Sequence, residues 1–475
     1  MKILTLDCGT TRIKAAVFDI SGSGEENRLN GFSAVKAPAK LWMERTGAPA
    51  TETTLAERDR SHIDVDHYLQ RVFELLRRVS EEETSLDAVC PAVCCPALVA
   101  LDESFRPLHP ALTHLHQASQ PQSAELVNKL GRERWLKTTG NLPVPGGISI
   151  SALHWLAATH PGVVAEARYW VHLHSVLLYS LTGRLVTDPT QAAYTGLYDV
   201  PGVSGWLDDD WLEQLGVKRE QLPEILPSAS VAGKLTAQAA KNTGFPEGLP
   251  VVTGGADIPT GLLAAEEVLP EAALNMSGTT PIVAASCGHC PAPAGNYLLR
   301  PHLVPGRWVV VKVSPVGGET LNWFRDRFCR EMSLDRFWDW VARLDVKVEQ
   351  LLEDQSVAEN RGQMLEFIPY LHGYRHCLEP RKASFTGLSS ETTREDMLCA
   401  VLVAYRGFLR EATQEVAAAV GRSLNHVVTS GGYDISALGF HRRAALSRST
   451  LTPLEAAVVR GAAILATLAL ENSST

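Results

Sequence analysis

The chain reads Ile3-Leu4-Thr5-Leu6-Asp7-Cys8-Gly9-Thr10-Thr11-Arg12-Ile13-Lys14, and about 270 positions later it reads Ala273-Leu274-Asn275-Met276-Ser277-Gly278-Thr279-Thr280-Pro281-Ile282. In both places an apolar run of strand type leads into a Gly-Thr-Thr turn and then into a second apolar run. This pattern predicts a β-hairpin with a polar tip. Because the six residues around each turn are nearly the same, they predict two related halves that open with the same strand-turn-strand unit.

The boundary between the halves is predicted between residues 248 and 249. The preceding segment, Asn242-Thr243-Gly244-Phe245-Pro246-Glu247-Gly248, is rich in Gly and Pro, and an apolar strand follows it. The expected domains are therefore residues 1–248 and 249–475. Helical patterns at 65–79, 151–158, 392–420 and 453–470 alternate with strands in both halves, which predicts the α/β class.

Composition narrows the class of protein. The 475 residues are 45% hydrophobic, and 44 Lys+Arg against 53 Asp+Glu give a net charge of −9. This composition excludes a mainly disordered chain, and the lack of a basic run argues against a nucleic-acid or anionic-membrane surface. An acid at Asp7 comes too early for a signal peptide, and no apolar run reaches the length of a membrane span. We expect a soluble cytoplasmic protein.

The two Gly-Thr-Thr turns are the best candidates for a phosphate site. The only Gly-Lys dipeptide, at residues 233–234, lacks the rest of a P-loop, and no Gly-x-Gly-x-x-Gly follows a strand. Backbone N–H groups and Thr hydroxyls in a tight turn form a concavity that holds phosphate. Asp7 would hold Mg²⁺ through water, and Lys14 would neutralise phosphate charge. The alternative is a pair of ordinary hairpins.

Asp257 is the candidate general base. The segment Val251-Val252-Thr253-Gly254-Gly255-Ala256-Asp257 places this acid at the carboxyl end of a strand, where α/β proteins bind ligands. There it would accept the proton of a hydroxyl that attacks a phosphoryl group. A helix cap is the alternative, and Pro259 with Gly261 fits it as well.

The chain resembles the FGGY carbohydrate kinases, which share a superfamily with hexokinase, actin and the Hsp70 ATPase domain. The segment from Asp7 to Lys14 looks like the family's opening motif, and the similarity extends over essentially the whole chain. The other matching segments are Leu181-Thr182-Gly183, Thr187-Asp188, Thr195-Gly196-Leu197, Gly254-Gly255-Ala256-Asp257, Ser277-Gly278-Thr279-Thr280, Gly317-Gly318-Glu319-Thr320-Leu321-Asn322-Trp323, Phe367-Ile368-Pro369-Tyr370-Leu371-His372-Gly373, Ser430-Gly431-Gly432 and Arg460-Gly461-Ala462-Ala463.

The resemblance implies two RNase-H-like domains that hold ATP between them, with a sugar or polyol bound mainly by the first. It implies that Asp257 is the base and that Mg²⁺ lies near Asp7. The residues implied around the transferring phosphate are Thr10, Thr11, Lys14, Gly278 and Thr279. Those implied at the nucleoside and inner phosphates are Gly318, Asn322, Gly432 and Ser436. Family members are often dimers, so a homodimer is a further expectation.

The sugar-reading segments depart from the family pattern. The family's Gly-Gln-Met-His-Gly loop is replaced by Val93-Cys94-Cys95-Pro96-Ala97-Leu98, and an acid and an arginine that fix hydroxyls are replaced by His116 and Ala118. His114 and His116 would both face the substrate if they lie on a strand; otherwise they are solvated edge residues. The sequence therefore gives no reason to expect one of the family's familiar substrates.

Two further patterns suggest metal binding only weakly. His172 and His174 have the same spacing as the first histidine pair, but no Cys or acid lies next to them in the sequence. The segment Cys287-Gly288-His289-Cys290 has the spacing of half a zinc site, and a turn between two strands is the alternative.

Three functions are consistent with these patterns. The first is an ATP-dependent sugar or polyol kinase. The second is a non-catalytic sugar or nucleotide sensor, although a sensor has no need of Asp257 as a base. The third is an ATPase of the chaperone branch, which lacks the Gly254–Asp257 context.

Overall fold

The computed structural model describes residues 1–20, 28–29, 32–33, 40–46, 61–277, 281–353, 365–371, 373–431 and 449–473. Its strands are β1 (Lys2–Cys8), β2 (Arg12–Asp19), β3 (Arg28–Leu29), β4 (Phe32–Ser33), β5 (Lys40–Arg45), β6 (His62–Ile63), β7 (Ala88–Val93), β8 (Ala97–Leu101), β9 (Ala111–Thr113), β10 (Tyr169–His172), β11 (Val186–Thr187), β12 (Glu224–Ile225), β13 (Val231–Lys234), β14 (Pro250–Val252), β15 (Gly255–Ala256), β16 (Ala273–Ser277), β17 (Pro281–Cys287), β18 (Leu298–Pro301), β19 (Trp308–Val313), β20 (Glu366–Ile368), β21 (Ser384–Thr386), β22 (His426–Ser430) and β23 (Thr450–Pro453).

The helices are α1 (Val65–Ser80), α2 (Gln120–Leu130), α3 (Arg132–Thr139), α4 (Ile150–Thr159), α5 (Pro161–Glu166), α6 (Leu173–Thr182), α7 (Pro189–Ala192), α8 (Asp209–Gln214), α9 (Ala237–Thr243), α10 (Asp257–Val268), α11 (Gly318–Phe328), α12 (Leu334–Glu353), α13 (Arg394–Val420) and α14 (Ala457–Ser473), with a 3₁₀ turn at Arg219–Gln221. The four helices expected from the sequence are present with ends that differ by a few residues. None of the helices in the described parts of the chain has the length and apolar character of a membrane span.

The chain forms two compact units that are discontinuous in sequence. The first contains residues 1–270, 286–309 and 457–475, and the second contains residues 271–285 and 310–456. Mixed sheets and helices make up both, in agreement with the predicted α/β class. The division predicted between residues 248 and 249 stays a prediction, and in the structure Pro250–Val252 belongs to the first unit.

The first unit is built on a sheet with the strand order β13-β14-β7-β1-β2-β5, and β15 also pairs with β7. β1 and β2 form the predicted antiparallel hairpin, while β1 and β7 run parallel. One face of β1 packs against the apolar side of α1, which begins at the N-cap Asp64 and buries Tyr68, Val72 and Leu76. α14 packs against β1, β7 and α10.

The second unit contains the strand order β19-β17-β16-β22-β23. β16 is antiparallel to β17 and parallel to β22, so it repeats the relations of β1 to β2 and β7. β22 then pairs in parallel with β23, as β7 does with β14. The two halves therefore share the hairpin and the parallel strands beside it, as the repeated turn predicts.

Candidate active site

The first hairpin places Asp7 opposite Lys14. Asp7 is aligned with Lys14 on β2 and with Ala92 on β7. The Lys14 Nζ lies 2.8 Å from Asp7 Oδ2, and the Asp7 side chain is 12% exposed. The charge of Asp7 raises the pKa of Lys14 above its usual value, and the charge of Asp257 adds a smaller increase. Lys14 is therefore a cation held at the carboxyl end of β1.

Neighbouring elements fix the turn between β1 and β2 through its carbonyl oxygens. The Tyr68 hydroxyl donates to the Gly9 carbonyl at 2.9 Å. The Thr46 hydroxyl donates to the Thr10 carbonyl at 2.7 Å, and the Thr46 N–H donates to the Thr11 carbonyl at 3.2 Å. The half-buried Thr10 and Thr11 thus lie at the tip of a turn whose backbone is held from both sides.

Asp257 follows β15 at the same edge of the sheet. Gly255 is aligned with Ala92 of β7, which is itself aligned with Asp7 of β1. Gly254 has φ +70°, and a Cβ there would lie 1.8 Å from the Pro91 carbonyl oxygen. Only glycine permits this close approach to β7. Asp7, Lys14 and Asp257 are consequently brought together in the first unit.

Asp257 itself is the first residue of α10 and is half-buried. Its Oδ1 accepts from the Ile258 N–H at 2.9 Å. The expected alternative, a helix cap, is thus close to what is observed, although the N-cap residue is Ala256. Burial raises the pKa of the Cys94 thiol well above its usual value, and the charge of Asp257 adds to this effect.

A buried acid that the sequence did not single out as a site residue, Asp188, holds the end of β15 in place. Asp188 Oδ2 accepts from the hydroxyls of Thr190 and Ser228, both at 2.7 Å. The Thr190 hydroxyl in turn accepts from the Ala256 N–H at 2.8 Å. Asp188 thus positions the residue that precedes Asp257. The run Asp188-Pro189-Thr190 is the available sequence signal, because it is typical of a helix start.

The second unit brings other predicted residues close to its own hairpin. Gly318 is the first residue of α11, and Asn322 lies one turn later. The Ser314 N–H, just before this helix, donates to the Pro281 carbonyl at 2.9 Å. A Cβ on Gly431, which has φ +123°, would lie 2.1 Å from the Ser277 carbonyl oxygen. The segment before α11 therefore lies against the start of β17, and Gly431 lies against the end of β16. Four predicted residues lie outside the described ones: Gly278, Thr279, Gly432 and Ser436.

The two predicted substrate histidines do not lie on a strand. β9 ends at Thr113, and residues 114–115 form a turn in which the His116 N–H donates to the Thr113 carbonyl at 3.0 Å. His116 is buried with its ring 4.5 Å from that of Trp155, while His114 is half-buried. The alternation that would place both on one face therefore does not apply.

The residues that replace the family's sugar loop form buried contacts. The Cys95 Sγ lies 3.4 Å from His172 Nδ1, and the Ser149 hydroxyl lies 2.8 Å from His172 Nε2. Burial lowers the pKa of His172 to about 3, so its ring is neutral at pH 7. His174 Nε2 donates to the Thr253 carbonyl at 2.7 Å. These histidines are bonded to protein groups.

The Cys287–Cys290 segment joins β17 to the loop before β18. The Cys287 thiol donates to the His289 carbonyl at 3.2 Å, and the Cys290 thiol donates to the Pro291 carbonyl at 3.5 Å. Within the described ranges no three His, Cys, Asp or Glu side chains form a cluster able to hold a metal ion.

Comparison with known proteins identifies the family. The model of the FGGY family of carbohydrate kinases, N-terminal domain, matches residues 2–264, and that of the C-terminal domain matches residues 273–470. Autoinducer-2 kinase of Yersinia enterocolitica is 26% identical over 373 residues, which are 76% of this chain and 64% of that protein. Xylulose kinase of Lactococcus lactis is 25% identical over 342 residues, which are 71% of this chain and 64% of that protein. The chain thus spans less than two thirds of these relatives.

Solved structures share the fold at lower identity. The ligand-bound xylulose kinase from Lactobacillus acidophilus gives a TM-score of 0.79 at 20% identity, covering 99% of this chain and 90% of that one. The gluconate kinase from Lactobacillus acidophilus gives a TM-score of 0.78 at 20% identity, covering 99% of this chain and 89% of that one. Both family models match in the expected order and together cover nearly all of the sequence, so the chain belongs to the FGGY family of carbohydrate kinases.

Proposed function

We propose that this chain is an ATP-dependent kinase that transfers the γ-phosphoryl group of ATP to a hydroxyl of a sugar or polyol. The observation that carries the proposal is the position of Asp257 at the same sheet edge as the Asp7–Lys14 pair. An acid beside a held cation is the pair of groups that phosphoryl transfer to a hydroxyl requires. The family, and the kinases among its relatives, support the same reaction class.

Asp257 is the proposed general base. It accepts the hydroxyl proton as the substrate oxygen forms a bond to the γ-phosphorus, and the bond from that phosphorus to the β–γ bridging oxygen breaks to release ADP. The half-buried position of Asp257 at the start of α10 supports this role, because the carboxylate has both solvent access and a fixed backbone.

Phosphate binding is assigned to both hairpins. Lys14 offsets charge on the transferring group, and Thr10 and Thr11 contribute hydroxyls and backbone N–H groups at the first tip. Gly278 and Thr279 are proposed to do the same at the second tip. Contacts to the nucleoside and inner phosphates are assigned to Gly318, Asn322, Gly432 and Ser436, supported for the first two by the position of α11 beside β17.

The residues present fit a Mg²⁺ ion bound with the nucleotide. Asp7 uses Oδ2 for Lys14, and among the described donors none is bonded to its Oδ1. Mg²⁺ is commonly held by one or two carboxylates, waters and substrate phosphates, so Asp7 would hold it through water. The ion would supply charge neutralisation at the phosphates. A cytoplasmic location and a homodimer stay predictions.

The test is a coupled measurement of ADP release against a panel of ketoses, alditols, aldonic acids and heptuloses, with xylulose included because relatives are named as xylulose kinases. We expect ADP release that depends on one class of acceptor and a stoichiometric phosphorylated product. ADP release from none of the acceptors, together with a thermal shift on adding ATP or sugar, would favour the sensor instead.

A further inference from the structure

A buried acid on α10, the helix that begins at Asp257, is bonded to residues further along the chain. The carboxylate of Glu266 accepts from Arg307 Nη2 at 2.9 Å and from Arg307 Nη1 at 3.2 Å. The hydroxyl of Ser286, near the end of β17, donates to the same carboxylate. Burial raises the pKa of Glu266, but His302 and Arg307 together outweigh this effect and lower the pKa below its usual value. Glu266 is therefore ionised at pH 7.

His302 and Arg307 are the first and last residues of one turn, which joins β18 to β19. The His302 N–H donates to the Arg307 carbonyl at 2.9 Å and closes the turn. His302 Nδ1 accepts from the Val304 N–H at 3.0 Å, so Nε2 carries the ring proton of the neutral histidine. This Nε2 lies 3.1 Å from Glu266 Oε2. The turn at residues 302–307 therefore presents two side chains to one carboxylate of α10.

The same turn also contacts the backbone that leads to the proposed base. A Cβ on Gly255 would lie 2.6 Å from Leu303 Cδ2, so the buried Leu303 side chain packs directly against Gly255, two residues before Asp257. The same Cβ would lie 3.0 Å from Thr190 Oγ1. The backbone before Asp257 is therefore held by the Thr190 hydroxyl and by the Leu303 side chain, and the second contact depends on the position of the 302–307 turn.

We infer that Glu266 is a positioning residue for Asp257 and that it acts through the 302–307 turn. This inference rests on the proposed function. The carboxylate of Glu266 fixes the turn at its first and last residues, and the turn fixes the backbone before Asp257 through Leu303. Asp257 and Glu266 are nine positions apart in α10, a rise of about 14 Å, so the effect passes through the turn and not through a direct contact.

The next residue of the helix provides a matched control. Glu267 is also buried on α10, and its carboxylate also accepts from an arginine, Arg460 of α14, with Nη2 at 2.7 Å and Nε at 3.0 Å. Arg460 lies outside the 302–307 turn. Glu266→Gln and Glu267→Gln therefore each remove one buried negative charge from the same helix, but only Glu266→Gln removes the charge that holds the turn.

The experiment measures turnover and amide hydrogen exchange of Glu266→Gln, Glu267→Gln and Leu303→Ala, at a temperature where circular dichroism shows each variant folded. With the best acceptor from the panel, kcat should fall by about tenfold in Glu266→Gln and in Leu303→Ala, with KM for ATP unchanged, because both changes displace the base. Glu267→Gln should keep the wild-type kcat to within about twofold. Should Glu266→Gln not fold, Arg307→Lys replaces it, since lysine keeps the charge but loses the paired contact.

Two further measurements test the route through the turn. Amide exchange of residues 252–258, followed by mass spectrometry of the free protein, should be at least about threefold faster in Glu266→Gln and Leu303→Ala than in the wild type, and unchanged in Glu267→Gln. Adding Glu266→Gln to Leu303→Ala should lower kcat by no more than about twofold further, because both changes act on the same contact.

The outcomes separate this inference from the proposed function. If the wild type phosphorylates an acceptor and Glu266→Gln keeps full kcat, or if both glutamate variants lose kcat equally, the role of Glu266 is wrong and the kinase stands. If no acceptor is phosphorylated but exchange of residues 252–258 rises in Glu266→Gln and not in Glu267→Gln, the kinase is wrong and the link from Glu266 to the backbone before Asp257 stands. Wild-type exchange in Glu266→Gln would overturn the inference with or without activity.

Discussion

At the scale of single residues, the site depends on groups whose positions are set by a few buried hydrogen bonds. Thr190 joins Asp188 to the backbone of Ala256, directly before Asp257. The sequence showed Asp188 as a family landmark but not this contact, because the contact joins residues 66 positions apart. Local patterns report on turns and caps, whereas such long-range bonds appear only in the folded chain.

Replacing Thr190 with Val should reduce turnover more than it reduces substrate binding. The substitution keeps the branched shape of the side chain but leaves the Ala256 N–H and one Asp188 bond without a partner. We expect kcat to fall by about tenfold through misplacement of Asp257, with KM for ATP unchanged. Steady-state kinetics check this, with the exposed Thr159→Val as the control. An unchanged kcat would show that Thr190 does not position the base.

His172 predicts a specific dependence of stability on pH. Its pKa in the folded chain is about 3, below the usual value of 6.5, so the unfolded chain binds the proton more readily. The resulting stability is complete above pH 6.5 and is lost as the pH falls toward 3, amounting to a loss of about 2 kcal/mol at pH 5. Urea unfolding of His172→Gln at pH 7 and pH 5 should show that much less acid destabilisation than the wild type. The exposed His426→Gln should keep the wild-type difference, and an equal difference in all three proteins would contradict the prediction.

At the scale of elements, local sequence patterns predicted where strands and helices lie better than they predicted how each element is placed in the fold. The hairpin β1–β2 and the long helix α13 follow from local signals, including the capping box of Thr393 with Asp396 and the terminal Gly421. The histidines at 114 and 116 failed the strand expectation because the turn after Thr113 determines their backbone.

The contact of α14 with α10 gives a prediction about stability. A Cβ on Gly461 would lie 1.8 Å from the Thr260 carbonyl oxygen, so the two helices approach closely only because glycine is present. Gly461→Ala should lower the free energy of unfolding by about 1–3 kcal/mol. Gly407→Ala is the matched control, since Gly407 is an exposed residue within α13 with no atom near the position of a Cβ. It should raise the free energy of unfolding by up to about 1 kcal/mol. Equal effects in denaturant unfolding would contradict this account of the contact.

At the scale of the whole molecule, the repeated Gly-Thr-Thr turn predicted two halves with the same strand relations. β16 with its neighbours repeats β1 with its neighbours, which is the agreement between levels expected of a duplicated unit. The return of residues 286–309 and 457–475 to the first unit was not predictable, because composition and periodicity carry no information on which sheet a distant segment joins.

The net charge of −9 also bears on how the whole molecule binds anions. Overall charge does not attract ATP or an acidic acceptor, so binding of anions has to come from local groups. Lys14 at the first hairpin is one such group, with its Nζ 2.8 Å from Asp7 Oδ2. We therefore expect anions to bind at the sheet edge that carries Lys14 and Asp257.

The central claim is that Asp257 is the base of an ATP-dependent transfer to a hydroxyl. Asp257→Asn keeps the size of the side chain and removes its ability to accept the proton. With the best acceptor from the panel, we expect kcat to fall by about 10²–10⁴-fold while calorimetry gives the wild-type affinity for ATP. Full acceptor-dependent ADP release by Asp257→Asn would contradict the claim.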